Sequence, residues 1–222
     1  MGLIERSDKI DYWGISQGAL RKKADEDDPK AIKREYTTKK GEKKVIWEIV
    51  CDGISGYIRD VELRDGDFGE QLMVYIDDVD NFALQMSWDS SEAMSFAEKL
   101  KGIDISKEVE IKPYYFTPKG RTKAIRGVSV YQDGNKLDNY FVKRDADGRV
   151  VGHIEDFPTP DGDTDEYDTE DWKMYFMQQK KFLRKHVIEK FPFIDVEEKE
   201  EKPKVEKPKK DAPSDEKDDL PF

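Results

Sequence analysis

The sequence predicts a mainly β protein with one short helix among its strands, a longer helix towards the C-terminus and an acidic tail. Three observations carry this. Between residues 33 and 143, short segments rich in Val, Ile, Tyr, Phe and Trp recur between Gly, Asp and Asn, the pattern of antiparallel strands joined by turns. Two neighbouring segments alternate strictly: Leu72, Val74 and Ile76 against Met73 and Tyr75, then Phe82, Leu84, Met86 and Trp88 against Ala83, Gln85 and Ser87, so each presents one apolar face. Charged residues make up 40% of the chain and hydrophobic ones 36%, so part of it cannot bury enough apolar area to offset the entropy of ordering. At 222 residues, one core is expected.

The elements follow in order. Residues 1–30 hold a short apolar patch, Ile10, Tyr12, Trp13 and Ile15, then the charged run Arg21 to Lys30, and read as a loosely docked arm. Within 31–154 the expected strands are 43–50, 54–64, 70–78, 81–88, 107–117, 122–132 and 136–143, and Lys39, Lys40, Lys43 and Lys44 around Gly41 mark a hairpin tip. One helix interrupts them. Asp89 and Glu92 offer a capping-box start, Met94, Phe96, Ala97 and Leu100 follow, and Gly102 stops it. Strands, one short helix and two more strands form the order of an OB-fold: a five-stranded, partly open antiparallel barrel with the helix between strands three and four. The first barrel strand would bend from Val45 through Gly53 and Gly56 to Leu63, because interior glycines permit the coil that a small barrel needs; 136–143 would be an added strand. An acidic linker, 155–168, leads to a segment, 169–194, whose helix over 169–190 gathers Trp172, Tyr175, Phe176, Phe182, Leu183 and Val187 largely on one side, so it should dock on the barrel or on another subunit. From 195 to 222, Lys and Glu mix with Pro203, Pro208 and Pro213, a composition that reads as a disordered spacer.

Charge is partitioned along the chain. Residues 155–171 hold nine acids and no base, and 195–222 hold eleven acids against seven bases, which accounts for more than the whole net charge of −11. The remainder is slightly basic, with six bases to two acids over 33–44 and eight to two over 112–144, stretches suited to phosphates. Cys51 is the single cysteine, so no internal disulfide forms, and no apolar run is long enough to span a bilayer. The start of the chain lacks a signal pattern, and a cytoplasmic protein is expected, in a bacterial host if phage-encoded. Asp161-Gly-Asp163-Thr-Asp165 fails as a calcium loop, because Glu166 and Trp172 stand where Gly and Glu are required. His153 and His186 belong to no paired motif. No catalytic residue, metal or cofactor is expected.

Single strands are held by bases stacked on aromatic rings above a cationic groove that tracks phosphates. Lys112-Pro-Tyr-Tyr-Phe-Thr-Pro-Lys-Gly-Arg-Thr-Lys-Ala-Ile-Arg126 interleaves the two, and in the barrel reading it spans the fourth strand, the next loop and the start of the fifth. The candidates are Lys112, Tyr114, Phe116, Lys119, Arg121, Lys123 and Arg126. Tyr114 and Phe116 share one face and Tyr115 the other, and the alternation alone leaves open which set is core. On the opposite rim Arg59, Arg64, Phe68 and Tyr75 flank the turn 65–69, with Phe68 either an exposed aromatic or a plug on the barrel end. Trp47 and Trp88 read as core indoles, and Lys43 and Lys44 as a backbone clamp or a soluble edge.

Asp218-Asp219-Leu220-Pro221-Phe222 resembles the tip of bacterial single-stranded DNA-binding proteins, which end in a spacer, an acidic run, Ile/Leu-Pro and a Phe. The resemblance covers only these five residues as a sequence match. It implies that the Phe222 ring enters an apolar pocket on a partner while its carboxylate meets Arg or Lys, a weak and exchangeable contact. The expectation is a phage or bacterial replication protein that coats single-stranded DNA in replication, recombination and repair. Its tip would recruit polymerase, helicase, primase, recombinase or nuclease, and a homo-oligomer is compatible. A rival reading keeps the tip and uses the barrel to bind protein rather than DNA.

Overall fold

A computed structural model describes residues 10–38, 41–67, 69–78, 80–154 and 156–192. Its strands are β1 (Ile10–Ser16), β2 (Ala19–Lys23), β3 (Ile32–Thr37), β4 (Lys43–Cys51), β5 (Ile54–Gly66), β6 (Gly69–Asp77), β7 (Asn81–Ser87), β8 (Val109–Phe116), β9 (Ile125–Gln132), β10 (Asn135–Lys136), β11 (Val142–Arg144) and β12 (Val150–His153). The helices are α1 (Ser91–Leu100) and α2 (Thr169–His186). Ten strands make one sheet in the order β10-β9-β8-β5-β6-β7-β1-β2-β4-β3, and β11 and β12 form a separate hairpin. Every neighbouring pair in the large sheet is antiparallel except β1 with β7. Among the described residues, no helix is long and apolar enough to cross a membrane.

Connectivity forces this sheet to roll. β4 stands five places from β5, which in a flat sheet is about 24 Å. Yet only Asp52 and Gly53 join the two strands, and three Cα steps reach at most about 11 Å. The sheet therefore curls until β4 comes back to the start of β5. β5 itself is coiled: Ile54–Gly56 pair with β8 and Tyr57–Gly66 with β6, with a bulge between Ile58 and Asp60. Gly56 lies at φ 144°, where a Cβ would fall 2.6 Å from Ile76 Cγ2 and 2.7 Å from the Asp77 carbonyl, so only glycine fits at this turn in the strand. β5, β6 and β7 form a meander, and β8 returns after α1 to lie beside β5, a Greek-key path.

The inward rows fill the roll. Leu72, Val74, Ile76, Leu84, Ile111, Val128 and Val130 are buried from alternate positions of four strands, and Phe96, Ala97 and Leu100 of α1 pack against them. α1 starts at Ser90, whose Oγ accepts from the Ala93 amide, one residue after the expected Asp89. The Ser95 hydroxyl donates to the Val128 carbonyl at 3.1 Å and accepts its amide at 3.4 Å, so α1 bonds directly to the backbone of β9 at the residue that the register sets opposite Pro113 of β8. α2 is capped by Asp168 and Asp171 in a reciprocal capping box. It docks on the rolled sheet through its C-terminal half: Leu183, Val187 and Ile188 are buried, Phe182 stands edge-on to Phe141 and Phe157, Lys180 meets Asp89 at 2.5 Å, and Arg184 pairs with Glu70.

Several expectations need correction. Residues 10–23 are not a loosely docked arm but the strands β1 and β2, with Trp13 and Leu20 buried in the core. Residues 32–37, not expected as a strand, form β3. The single bent strand from Val45 to Leu63 is broken at Asp52-Gly53 into two strands at opposite positions of the sheet. Strand 136–143 reduces to Asn135–Lys136 and Val142–Arg144. The acidic linker contributes Phe157 to the core, stacked on Phe141 at 4.9 Å. Trp88 is buried as expected, whereas Trp47 is only half-buried. The tail 195–222 lies outside the described residues.

Candidate nucleic-acid interface

With Leu72, Val74, Leu84 and Trp13 turned inward, the register defines the outer face row by row. Tyr12 of β1, Ala83 of β7, Tyr75 of β6 and Asp60 of β5 lie in one cross-strand row. Arg21 of β2, Gly14 of β1, Gln85 of β7, Met73 of β6 and Glu62 of β5 lie in the next. The middle of this face dips at Gly14, where a Cβ would meet nothing within 4 Å, while the neighbouring Ala83, Met73 and Tyr75 are buried in a small apolar cluster with Ile10 packed against it. Cations and phenol rings stand on either side of the trough.

On the β5–β6 side, the Arg59 and Arg64 guanidinium carbons sit 5.6 and 5.5 Å from the centre of the Tyr75 ring. Tyr75 is 4% exposed, and burial, with the Glu62 carboxylate beside it, pushes its phenol up to about 12. The ring is thus a support on which two arginines rest, and it offers no open surface to a base. Arg59 also lies 3.4 Å from Asp77, and Arg64 2.6 Å from Glu62. Both arginines are about half exposed, and such pairs are worth roughly 0–1 kcal/mol, so phosphates can displace the carboxylates.

On the β2–β4–β3 side, the Glu48 carboxylate accepts from Arg21 Nη1 at 2.9 Å and from Arg34 Nε and Nη2, both at 2.8 Å. Glu48 is 6% exposed. The Arg34 hydrogen bond, reinforced by Arg21, holds its carboxyl below the usual carboxylate range. Arg34 in turn lies 5.6 Å over the Tyr36 ring. Two strands share one buried acid, and two exposed-side cations are fixed by it.

The β8–β9 hairpin is the second cationic element. Val109, Ile111 and Pro113 point inward, while Lys112, Tyr114 and Phe116 take the outer row. Tyr114 is half-buried, because its ring lies over Gly127, where a Cβ would be 2.4 Å from the phenol oxygen. Phe116, 6.1 Å from Tyr114, and Tyr115 are each about half exposed. Beyond them the loop carries Lys119, Arg121 and Lys123, which are exposed and form no ion pair among the described residues. Arg126 lies 3.8 Å from Glu92, and Lys112 pairs with Glu110 at 2.7 Å, which raises its ammonium pKa, while resting 5.5 Å over Tyr131. The hairpin meets the trough at the β1–β2 turn: at Gly18, φ 74°, a Cβ would be 2.7 Å from the Tyr115 amide nitrogen.

The expected residues fall in three places. Lys112, Tyr114, Phe116, Lys119, Arg121, Lys123 and Arg126 share the β8–β9 hairpin, Arg59 and Tyr75 flank the trough, and Lys43 and Lys44 lie at the β3–β4 turn. Lys44, opposite Tyr36, shares the outer row of β3–β4, whereas Lys43, opposite Thr37, takes the other face. Phe68, Lys39, Lys40 and Asp218, Asp219, Leu220, Pro221 and Phe222 lie outside the described residues. Tyr12, Arg21, Arg34 and Tyr36 were not anticipated, and Tyr115 was expected only as the alternative to the Tyr114–Phe116 face. The signal for Tyr12 was the alternation of β1, hidden by reading 1–30 as an arm, which also hid Arg21 on β2; β3, which carries Arg34 and Tyr36, shows no apolar period. Among the described residues, no group of three His, Cys, Asp or Glu side chains is placed to hold a metal ion. No protein-family model, curated protein or solved structure matches this chain.

Proposed function

We propose that this protein binds single-stranded DNA across the outer face of a rolled, OB-like barrel during replication, recombination and repair, and that Asp218–Phe222 recruits other replication proteins. The observation that carries the reading is the open strip at Gly14 between two arginine–tyrosine clusters, adjoining a hairpin loop with three cations that form no ion pair among the described residues. The open space at Gly14 admits a sugar–phosphate chain, exposed guanidinium and ammonium groups meet its phosphates, and half-exposed rings such as Tyr12, Tyr115 and Phe116 accept bases. The Greek-key path with its helix between the third and fourth strands of the β5–β9 unit supports the OB reading, in which the face of strands two and three and the loop between four and five carry the ligand. Here those are the outer face of β6–β7 and the Lys119–Lys123 loop.

A gel shift with labelled single and double strands, at low and high salt, tests it. The expected result is retention of the single strand, weakened steeply by salt, with much poorer retention of the duplex. No shift of the single strand at low salt refutes the reading and leaves the barrel as a protein-binding adaptor.

A further inference from the structure

The outer face does not stop at the barrel. β2 carries it onto β4 and β3, where Arg21, Glu48, Arg34 and Tyr36 lie on one surface: Arg21 opposite Val50, Glu48 two residues from Val50, and Arg34 and Tyr36 opposite Ile46 and Lys44. Tyr36 is 38% exposed on the edge strand β3. Glu48 engages Arg34 through Nε and Nη2 and Arg21 through Nη1. That leaves Nη1 of Arg34 and Nη2 of Arg21 without a hydrogen bond among the described residues. One carboxylate between two guanidiniums leaves a net positive charge, held in place rather than swinging in solvent.

Resting on the single-strand-binding reading, we propose that the track runs past the barrel onto this β2–β4–β3 extension, where Tyr36 stacks a further base and Arg34 meets the adjoining phosphate. Arg34 covers one side of the Tyr36 ring at 5.6 Å, so the base takes the other side and completes a cation–ring–base stack. Glu48 acts as a positioning residue: it touches no ligand and aims the arginines.

The experiment compares the full chain with Tyr36→Leu, Tyr36→Phe and Arg34→Gln on oligothymidylates of about 6 and about 20 nucleotides, of which the first fits within the usual 4–16-nucleotide site of one OB barrel and the second exceeds it. Tyr36→Leu is expected to weaken the long strand by about tenfold, within the roughly 5- to 150-fold range of one stacked base, and to leave the short strand unchanged. Tyr36→Phe, which keeps the ring, retains the wild-type affinity. Arg34→Gln lowers the salt slope on the long strand by about 0.7, one phosphate contact. If the wild type binds both oligomers and Tyr36→Leu binds the long one as tightly, or loses both lengths equally, the extension is refuted. If the wild type binds neither oligomer, the single-strand-binding reading itself has failed.

Discussion

Replacing Lys119, Arg121 and Lys123 together by Gln isolates the hairpin's share of the electrostatics. Each is exposed and free of ion pairs among the described residues, so the triple variant should keep its stability to within about 0.5 kcal/mol. If each cation neutralises one phosphate, removing three flattens the dependence of log K on log salt by about 2, at about 0.7 per contact on single strands. Relative to 1 M salt, where screening has removed most of this term, the loss at about 0.1 M is then two decades, or about 2.8 kcal/mol. Anisotropy of a labelled oligothymidylate, titrated at several salt concentrations, reads both slope and affinity. A variant that folds and binds with an unchanged slope would show that the loop meets no phosphate, and the strand would have to run elsewhere.

Three further outcomes follow from the geometry. Gly14→Phe places a ring in open space on the trough floor; binding should fall at least tenfold with the melting temperature nearly unchanged, measured by anisotropy and circular dichroism. Leu183→Ala empties a fully buried site under α2 and should cost about 2–5 kcal/mol in denaturant unfolding. Glu48 is held below the usual carboxylate range by Arg34 and Arg21. Its stabilising share is therefore full above the unfolded carboxylate value of about 4.3 and lost as pH falls through the lower folded value. Glu48→Gln should destabilise by roughly 1–3 kcal/mol at neutral pH and remove that part of the acid dependence, read as unfolding free energy against pH.

The strands between 43 and 132 were legible because each half-buried strand writes its burial as alternation, and turn residues punctuate it: Leu72–Ile76 and Phe82–Met86 fall inward as expected. β3 was not legible, because both of its faces are largely solvated and no apolar period survives in Ile-Lys-Arg-Glu-Tyr-Thr. β1 was missed for another reason. It pairs in parallel with β7, remote in sequence, and its hairpin turn to β2, Gln17-Gly18 with both residues at positive φ, lacks the Asn-Gly or Asp-Gly pair that marks such turns. The break at Asp52-Gly53 looked like a bend within one strand, since local sequence does not reveal which neighbour a strand takes. For the site, single cations on the hairpin were readable one by one. The shared carboxylate of Glu48 and the arginines resting on Tyr75 are cross-strand contacts, which exist only once the register is set.

The parallel pairing of Ile10 with Asn81 also dictates a timetable. On a ribosome that adds about 5–20 residues per second, β1 emerges first and then waits several seconds for β7. Until then Trp13 has no Leu84 to face, and the roll cannot shut, although the hairpins β3–β4 and β5–β6 are already complete. Of the described strands, the first made is among the last to be secured. Its long-range closure is the slow, entropically costly step of folding, and the interval is when an unsealed edge is open to pairing with another nascent copy.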